Sequence, residues 1–180
     1  ETHPQARSPE VWSALFRLNG VDAVCVPMRV DPPGLGAFLE GAKALRNFVG
    51  LIVTIPHKAA SLGHVGSLTE RSALVGAVNV IRLDDDGEWT GDTVDGIGLV
   101  AGLRTRGQDP AGRRALVVGV GGAGTAIAFA LAEAGASEVA VFDLDRAKSD
   151  DVAARVAATG TTSYVTAPEA AGFELVVNAS

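Results

Sequence analysis

Lys58 closes the run Gly50-Leu51-Ile52-Val53-Thr54-Ile55-Pro56-His57-Lys58, and Asp95 sits in Gly91-Asp92-Thr93-Val94-Asp95-Gly96. A lysine can shed its proton when its surroundings depress its pKa, whereas an arginine cannot. Only three of the fifteen basic residues are lysines, namely Lys43, Lys58 and Lys148. Lys58 follows an apolar strand and opens a short helix, where a positive charge is mildly unfavourable. A purely structural role gives no reason to put it there. An aspartate in reach of that lysine would orient it and balance its charge. Lysine and aspartate together are equipment for general acid–base work. Asp95 is also placed to cap the helix after it, and the two roles are compatible. His57 needs no chemical role of its own, and His3 and His64 lack any partner pattern.

A second cluster is the turn Gly119-Val120-Gly121-Gly122-Ala123-Gly124. It lies between the apolar strand Ala115–Val118 and a helix starting near Ala123, the context in which a GxGxxG pattern means something. Glycines allow the tight turn and let backbone approach a pyrophosphate, while the helix N-terminus supplies free N–H groups and a positive dipole end. Asp143 ends the next strand, 19 residues after Gly124. A carboxylate there accepts hydrogen bonds from a ribose and repels the 2′-phosphate of NADP. Asp145 is the better cap for the next helix, which frees Asp143 for the ribose. The expected cofactor is NAD rather than NADP. Its expected contacts are Gly119, Gly121, Gly122, Ala123, Gly124 and Asp143, with Asn178 at the end of the last strand.

The elements that must position these residues are read from periodicity. Ser8-Pro9-Glu10 reads as a helix start with Ser8 as cap, and Asn19-Gly20 as its stop. Val21–Val30 reads as a strand, Leu35–Arg46 as a helix, and Phe48–Ile55 as a parallel strand covered on both faces. Short helices are expected near Lys58–Leu62 and Ser67–Val75. A hairpin is expected around Asp84-Asp85-Asp86-Gly87, whose aspartates read as a solvated turn. A helix comes next, from Asp95 to about Arg106, then the polar linker Gly107–Gly112. Beyond it come a strand at Arg114–Gly119, a helix at Ala123–Ala134, a strand at Val139–Asp143 and a helix at Asp145–Ala158. Strands at Ser163–Thr166 and Leu175–Asn178 complete the set. The fold class is α/β in two units. Both ends of the chain read as clipped, because no strand precedes the first helix and the last residues directly succeed a strand.

Composition narrows the partners. The 180 residues are 47% apolar and carry a net charge of −6. That balance argues against a general affinity for nucleic acid or anionic lipid. The single Cys25 reads as a small core residue and excludes a disulfide framework, as expected in a reducing cytoplasm. No apolar stretch approaches a bilayer span and no signal-peptide pattern is seen. Metal-ligand spacing is absent, so no metal is expected. The expected partner is a small-molecule substrate, with the chain a monomer or homodimer.

Four segments carry a resemblance to the shikimate and quinate dehydrogenase family. Val53-Thr54-Ile55-Pro56-His57-Lys58 matches its VTxPxK loop and Gly76-Ala77-Val78-Asn79 its GAVN segment. Asp95-Gly96 matches the end of its NTDG motif, and Ala6-Arg7-Ser8-Pro9 its SxSP opening. Order and spacing agree from about residue 6 to residue 180. The resemblance implies an N-terminal α/β substrate domain at 1–95 and a Rossmann-type dinucleotide domain at 96–180, with the active site in the cleft between them. It implies reversible hydride transfer between a ring secondary alcohol of a hydroxylated cyclic acid and a nicotinamide cofactor. Lys58 and Asp95 would be the catalytic pair, Asn79 a hydroxyl-binding side chain, and Ser8 and Thr54 would hold the substrate carboxylate.

The departures from the family bear on cofactor and substrate. Its NADP-using members carry Asn-Arg-Thr where this chain has Asp143-Leu144-Asp145, which resembles the NAD-using quinate/shikimate branch. Ala6, Ile52 and Thr93-Val94 replace polar family residues, which implies a less polar pocket. Each lost hydrogen bond to a charged or polar group costs about 1.5–3 kcal/mol, so shikimate is expected to bind poorly. The family also closes its substrate site with a C-terminal helix that this chain does not contain. The alternatives are a paralogue with the same chemistry on a less polar cyclic alcohol, or a nucleotide-binding regulator without turnover. Retention of both Lys58 and Asp95 speaks against the regulator.

Overall fold

The computed structural model describes residues 7–180, so Ala6 lies outside the described residues. Two compact units divide the chain after Arg46. In the first, helix α1 (Ser8–Leu18) has Pro9 in its first turn and Glu10 near its positive end. The expected Ser8 cap does not form: Ser8 is already helical, Arg7 takes the cap position, and no side-chain cap bond is made. The stop is as expected, with Gly20 at φ +65° after Asn19.

Val21–Val30 has strand composition, yet it pairs with no described strand. Strand propensity is mostly a preference for a pleated, half-covered surface, and without a ladder the preference goes unused. The side chains of Val24 and Val26 are exposed. The segment is tied to α1 instead, where Ser13 Oγ accepts the Cys25 N–H at 3.1 Å and lies 3.3 Å from the Cys25 carbonyl, to which it donates. Cys25 is accordingly half-buried rather than a core residue. A 3-10 turn at Pro32–Gly34 leads into α2 (Leu35–Ala42), which buries Leu35, Leu39 and Ala42 along one stripe. The helix stops short of Arg46, in turns.

The second unit holds two sheets. The first has strands β1 (Gly50–Ile52), β2 (Ser67–Leu68), β3 (Val80–Leu83) and β4 (Trp89–Asp92) in the order β1-β3-β4-β2. The hairpin forms where the aspartate turn predicts it, with Gly87 at φ +83°. Asp84 accepts from Thr90 and pairs with Arg82, which engages it within the hairpin. β1 runs antiparallel to β3. The apolar run around it therefore does not mark a parallel strand covered on both faces, and Ile52 is 39% exposed. Trp89 is buried against the edge of Phe48 and anchors this sheet.

The connecting helices are α3 (His57–Ala60), α4 (Glu70–Val75) and α5 (Asp95–Arg104). Thr69 caps α4 by accepting the Ser72 N–H, and Gly76 ends it at φ +73°.

The second sheet is parallel, in the order β7-β6-β5-β8, from β5 (Arg114–Val118), β6 (Glu138–Phe142), β7 (Thr162–Val165) and β8 (Leu175–Asn178). Helices α6 (Gly122–Glu133) and α7 (Arg146–Ala157) make the crossovers β5-α6-β6 and β6-α7-β7. β5 and β6 are nearly continuous in apolar residues because both faces are covered. Strand order reverses between β5 and β8, and the crevice at the carboxyl ends of such strands is where ligands bind in open α/β sheets. Val75 and Ala77, from the first half of the unit, join the core cluster of α6, α7 and this sheet. Among the described residues no helix is long and apolar enough to cross a membrane.

α5 lies hard against α6 at Gly96, where a Cβ would come within 2.1 Å of the Ala126 carbonyl oxygen. A rigid backbone cannot yield as a flexible side chain can. Gly96→Ala should therefore destabilise the protein by about 1–3 kcal/mol, read from the urea midpoint at constant m-value. An unchanged midpoint would contradict this contact.

Candidate active site

Three loops converge on one carboxylate. Lys58 Nζ, in the first turn of α3, donates to Asp95 Oδ2 at 2.6 Å. Asn79 Nδ2 donates to Asp95 Oδ1, also at 2.6 Å. The Asn79 amide is oriented by its own acceptor side, since the Val94 N–H donates to Oδ1 at 2.9 Å. Backbone bonds knit the same segments together. Val78 N–H reaches the Lys58 carbonyl at 2.9 Å, Asn79 N–H the Asp92 carbonyl at 2.9 Å, and Val53 N–H the Asn79 carbonyl at 2.7 Å. Asn79 is 5% exposed and both of its side-chain polar atoms are bonded inside the protein. Lys58 and Asp95 keep 16% and 27% of their side chains open, so a reacting group has access to them.

Asp95 does not cap α5. Val94 holds the cap position without a side-chain bond, and Asp95 is the first helical residue. Its carboxylate is turned to Lys58 and Asn79 instead, while still lying at the positive end of the helix dipole.

The glycine turn comes directly after β5. Gly119 adopts φ +89°, and its N–H reaches the Phe142 carbonyl at 2.7 Å. A Cβ at Gly124 would fall 1.8 Å from the Gly119 carbonyl oxygen, whereas one at Gly121 would meet nothing within 4 Å. The first glycine and the last are therefore required by the turn itself, and the middle one leaves a gap above it. The first intrahelical bond of α6 is Thr125 N–H to Gly121 O at 2.9 Å. The amides of Gly122, Ala123 and Gly124 precede it and lie in the orphan-donor turn of the helix. Such a turn has the free amides and the open space to cradle a pyrophosphate. A Cβ at Gly122 would come 3.2 Å from Ala77 Cβ and 3.4 Å from Lys58 Cβ. The cradle thus abuts the lysine's helix directly. A cavity of about 560 Å³ opens beside it, lined by Gly121, Gly122, Ala77, Lys148 and Arg155 among others.

Asp143 Oδ1 accepts the Asp145 N–H at 3.0 Å, and its Oδ2 accepts the Val120 N–H at 2.9 Å. Those backbone bonds, Asp145 foremost, hold its carboxyl below the usual aspartate range. Asp143 therefore also braces the glycine turn, a contact that no spacing rule announced. Asp145 caps α7, accepting from Ala147 and Lys148 as expected. Leu144 is 95% exposed. The nearby cations already have acids: Arg146 pairs with Asp150 at 3.0 Å, and Lys148 with Asp145 at 3.6 Å. Asn178 Oδ1 accepts from Ser180 N–H and Oγ–H at 3.1 and 2.7 Å, within a local turn. Thr54 is exposed on the loop before α3, where its carbonyl accepts the His57 N–H at 2.9 Å. Ser8 belongs to the first unit, at the start of α1.

Thr93, expected at the substrate pocket, is not there. It is 2% exposed and lines a small void of about 20 Å³ with Gly96, Ala126 and Phe129. It faces the packing between α5 and α6.

Sequence spacing also missed the clamp on Asp92. Arg71 donates to it through two nitrogens at 2.8 and 2.6 Å, and Thr69 Oγ1 donates at 2.7 Å. Burial pushes the Asp92 carboxyl up, but hydrogen bonds from Arg71, Thr69 and the Thr93 amide outweigh it and hold the pKa low. A depressed folded-state pKa stabilises above the unfolded value, and that stability is lost as pH falls through the folded one. Between about pH 5 and about pH 3, wild type should therefore lose more of its urea midpoint than Asp92→Asn does. Parallel losses in the two proteins would show that the clamp carries no pH-dependent stability.

Known proteins share this fold. Residues 4–81 match the family described as shikimate dehydrogenase substrate binding domain. A shikimate dehydrogenase (NADP(+)) of Rubrobacter xylanophilus is 36% identical over 185 residues, covering 99% of this chain and 65% of that protein. The crystal structure of ligand-free 5-ketofructose reductase of Gluconobacter sp. strain CHM43 superposes with a TM-score of 0.87 at 32% identity, over 98% of this chain and 65% of that one. Quinate dehydrogenase from Corynebacterium glutamicum in complex with NAD superposes with a TM-score of 0.84 at 27% identity, over 100% of this chain and 68% of that one. The chain spans less than two thirds of the length of the Rubrobacter relative. In sequence and in fold, the chain is a relative of the shikimate and quinate dehydrogenases.

Proposed function

We propose that this chain carries the proton-handling and dinucleotide-binding parts of an NAD-dependent dehydrogenase that interconverts a ring secondary alcohol and its ketone on a hydroxylated cyclic acid. The observation that carries the reading is the Lys58–Asp95 ion pair, at 2.6 Å, on a helix that touches the glycine cradle at Gly122. A binding module needs the cradle and has no use for the pair. Residues 1–95 would supply the substrate side and 96–180 the dinucleotide side.

The turn fits a dinucleotide, since any Cβ at Gly124 would destroy it and Gly121 leaves open space above the α6 amides. Gly119, Gly121, Gly122, Ala123 and Gly124 would hold the pyrophosphate, and Asp143 the adenosine ribose; Asn178 borders the same crevice. When bound, the nicotinamide supplies the acceptor or donor of hydride. As the free amine Lys58 Nζ would take the hydroxyl proton during oxidation, and as the ammonium it would give one back during reduction. Asp95 holds Lys58 in place and balances its charge, and Asn79 holds Asp95. Thr54 and Ser8 are proposed to bind the substrate carboxylate. General acid–base assistance of this kind is worth about 10²–10⁴-fold.

A second reading keeps the chemistry and changes the substrate to a less polar ring or a keto sugar. Its support is Ile52, an apolar side chain 39% exposed where the family carries asparagine, together with the likeness to the 5-ketofructose reductase. Assaying shikimate, quinate and 5-ketofructose with either dinucleotide separates the readings.

Lys58→Ala should lower kcat by about 10²–10⁴-fold, while the NAD dissociation constant changes little. A variant keeping more than about a tenth of the wild-type rate would remove Lys58 from the proton step. Asp143 makes NAD the expected cofactor, because its carboxylate repels a 2′-phosphate and the neighbouring cations are already paired. Asp143→Asn should narrow the preference for NAD over NADP, measured as the ratio of kcat/KM values. A wild type that already prefers NADP would mean that Asp143 serves only as a brace for Val120.

A further inference from the structure

Arg155 lies in the last turn of α7, at the wall of the cavity beside the cradle, and it ties α7 to α4. Its Nη2 donates to the Leu74 carbonyl, 81 positions earlier in the chain. Leu74 is in the last turn of α4, whose final carbonyls have no intrahelical donors and favour a cation. The guanidinium also stacks over the Phe129 ring of α6 at 5.5 Å, and its Nη1 pairs with Asp151 at 2.9 Å. It is therefore held from α6 and α7 before it reaches across. A Cβ at Gly76 would come within 3.8 Å of it.

The end of α4 that Arg155 holds leads straight into the site. α4 ends at Gly76, and the next three residues are Ala77, Val78 and Asn79. Ala77 packs against Gly122 of the cradle, Val78 N–H holds the Lys58 carbonyl, and Asn79 holds Asp95. Displacing the end of α4 would displace all three contacts together. The other end of α4 is fixed separately, through Thr69 and Arg71 on Asp92.

Resting on the dehydrogenase reading above, we propose that Arg155 is a positioning residue that couples α7, the helix beginning beside Asp143, to the Lys58–Asp95–Asn79 group. It fixes the distance between cradle and proton-handling pair from the wall of the cavity beside the cradle. Arg155 thus adds a polar constraint to the shared apolar core around Val75 and Ala77.

Two variants test this. Arg155→Met keeps an apolar stem over Phe129 and loses the guanidinium, whereas Arg155→Lys keeps a cation that can reach the carbonyl. Amide hydrogen exchange reads the position directly. In Arg155→Met the Val78, Asn79 and Val94 amides should exchange at least about tenfold faster, with β5 and β6 unchanged. On an active substrate kcat should fall about tenfold. Arg155→Lys should fall between the two proteins in both readouts. Unchanged exchange at those three amides, or an equal acceleration throughout β5 and β6, overturns the proposal, because it leaves Arg155 either idle or merely stabilising. The two claims fail separately. If wild type turns over none of the substrates but Arg155→Met still loosens only those amides, the dehydrogenase reading falls and the coupling stands.

Discussion

The Asp95 carboxylate between Lys58 Nζ and Asn79 Nδ2, each at 2.6 Å, is the contact that constrains the other parts of the site. A half-buried charge is tolerable only when it is paired and hydrogen-bonded. Here the two oxygens have different donors from different loops. Removing either donor leaves the carboxylate under-satisfied, and removing the carboxylate strands a lysine against a helix N-terminus. The pair is therefore costly to build for stability alone, and its value lies in holding one titratable nitrogen at a fixed, partly open position.

The remaining architecture brings that nitrogen to a nucleotide cradle. A Cβ at Gly122 would crowd Ala77 and Lys58, at 3.2 and 3.4 Å. Gly124 is bare because the turn passes through its Cβ position, and Gly96 because α5 rests on α6. Three glycines thus record three close approaches, and together they bring the helix starts of α3, α5 and α6 into one neighbourhood. Asp143 strengthens the same construction from β6, bonding Val120 of the turn. Its low pKa keeps that brace charged throughout the neutral range.

Much of this was legible in the sequence, for reasons that differ by residue. The parallel sheet, its glycine turn and the Asp145 cap rest on local rules of apolar runs, positive φ and orphan amides, and these act within a few residues. The segment Val21–Val30 misled because a strand exists only through a partner, and composition cannot supply one. Phe48–Ile55 misled likewise: its apolar run says that it is covered, not by which neighbour or in which direction. Thr93 reads as a pocket residue by its motif position, but it is buried against α6 instead. Arg71 and Arg155 were invisible because their partners, Asp92 and the Leu74 carbonyl, lie 21 and 81 positions away. Contacts at such separations arise from topology and leave no spacing signal.

The central claim is that proton and hydride leave the same carbinol group at this site. The most direct measurement uses a cyclic hydroxy acid or polyol carrying deuterium on the carbinol carbon, incubated with the protein and NAD, with the reduced nicotinamide examined by NMR. The account predicts deuterium at C4 of the nicotinamide ring, on one face only, with the matching ketone formed in equal amount. Reduced nicotinamide without deuterium, or dinucleotide binding with no transfer from any ring alcohol in the panel, would contradict it.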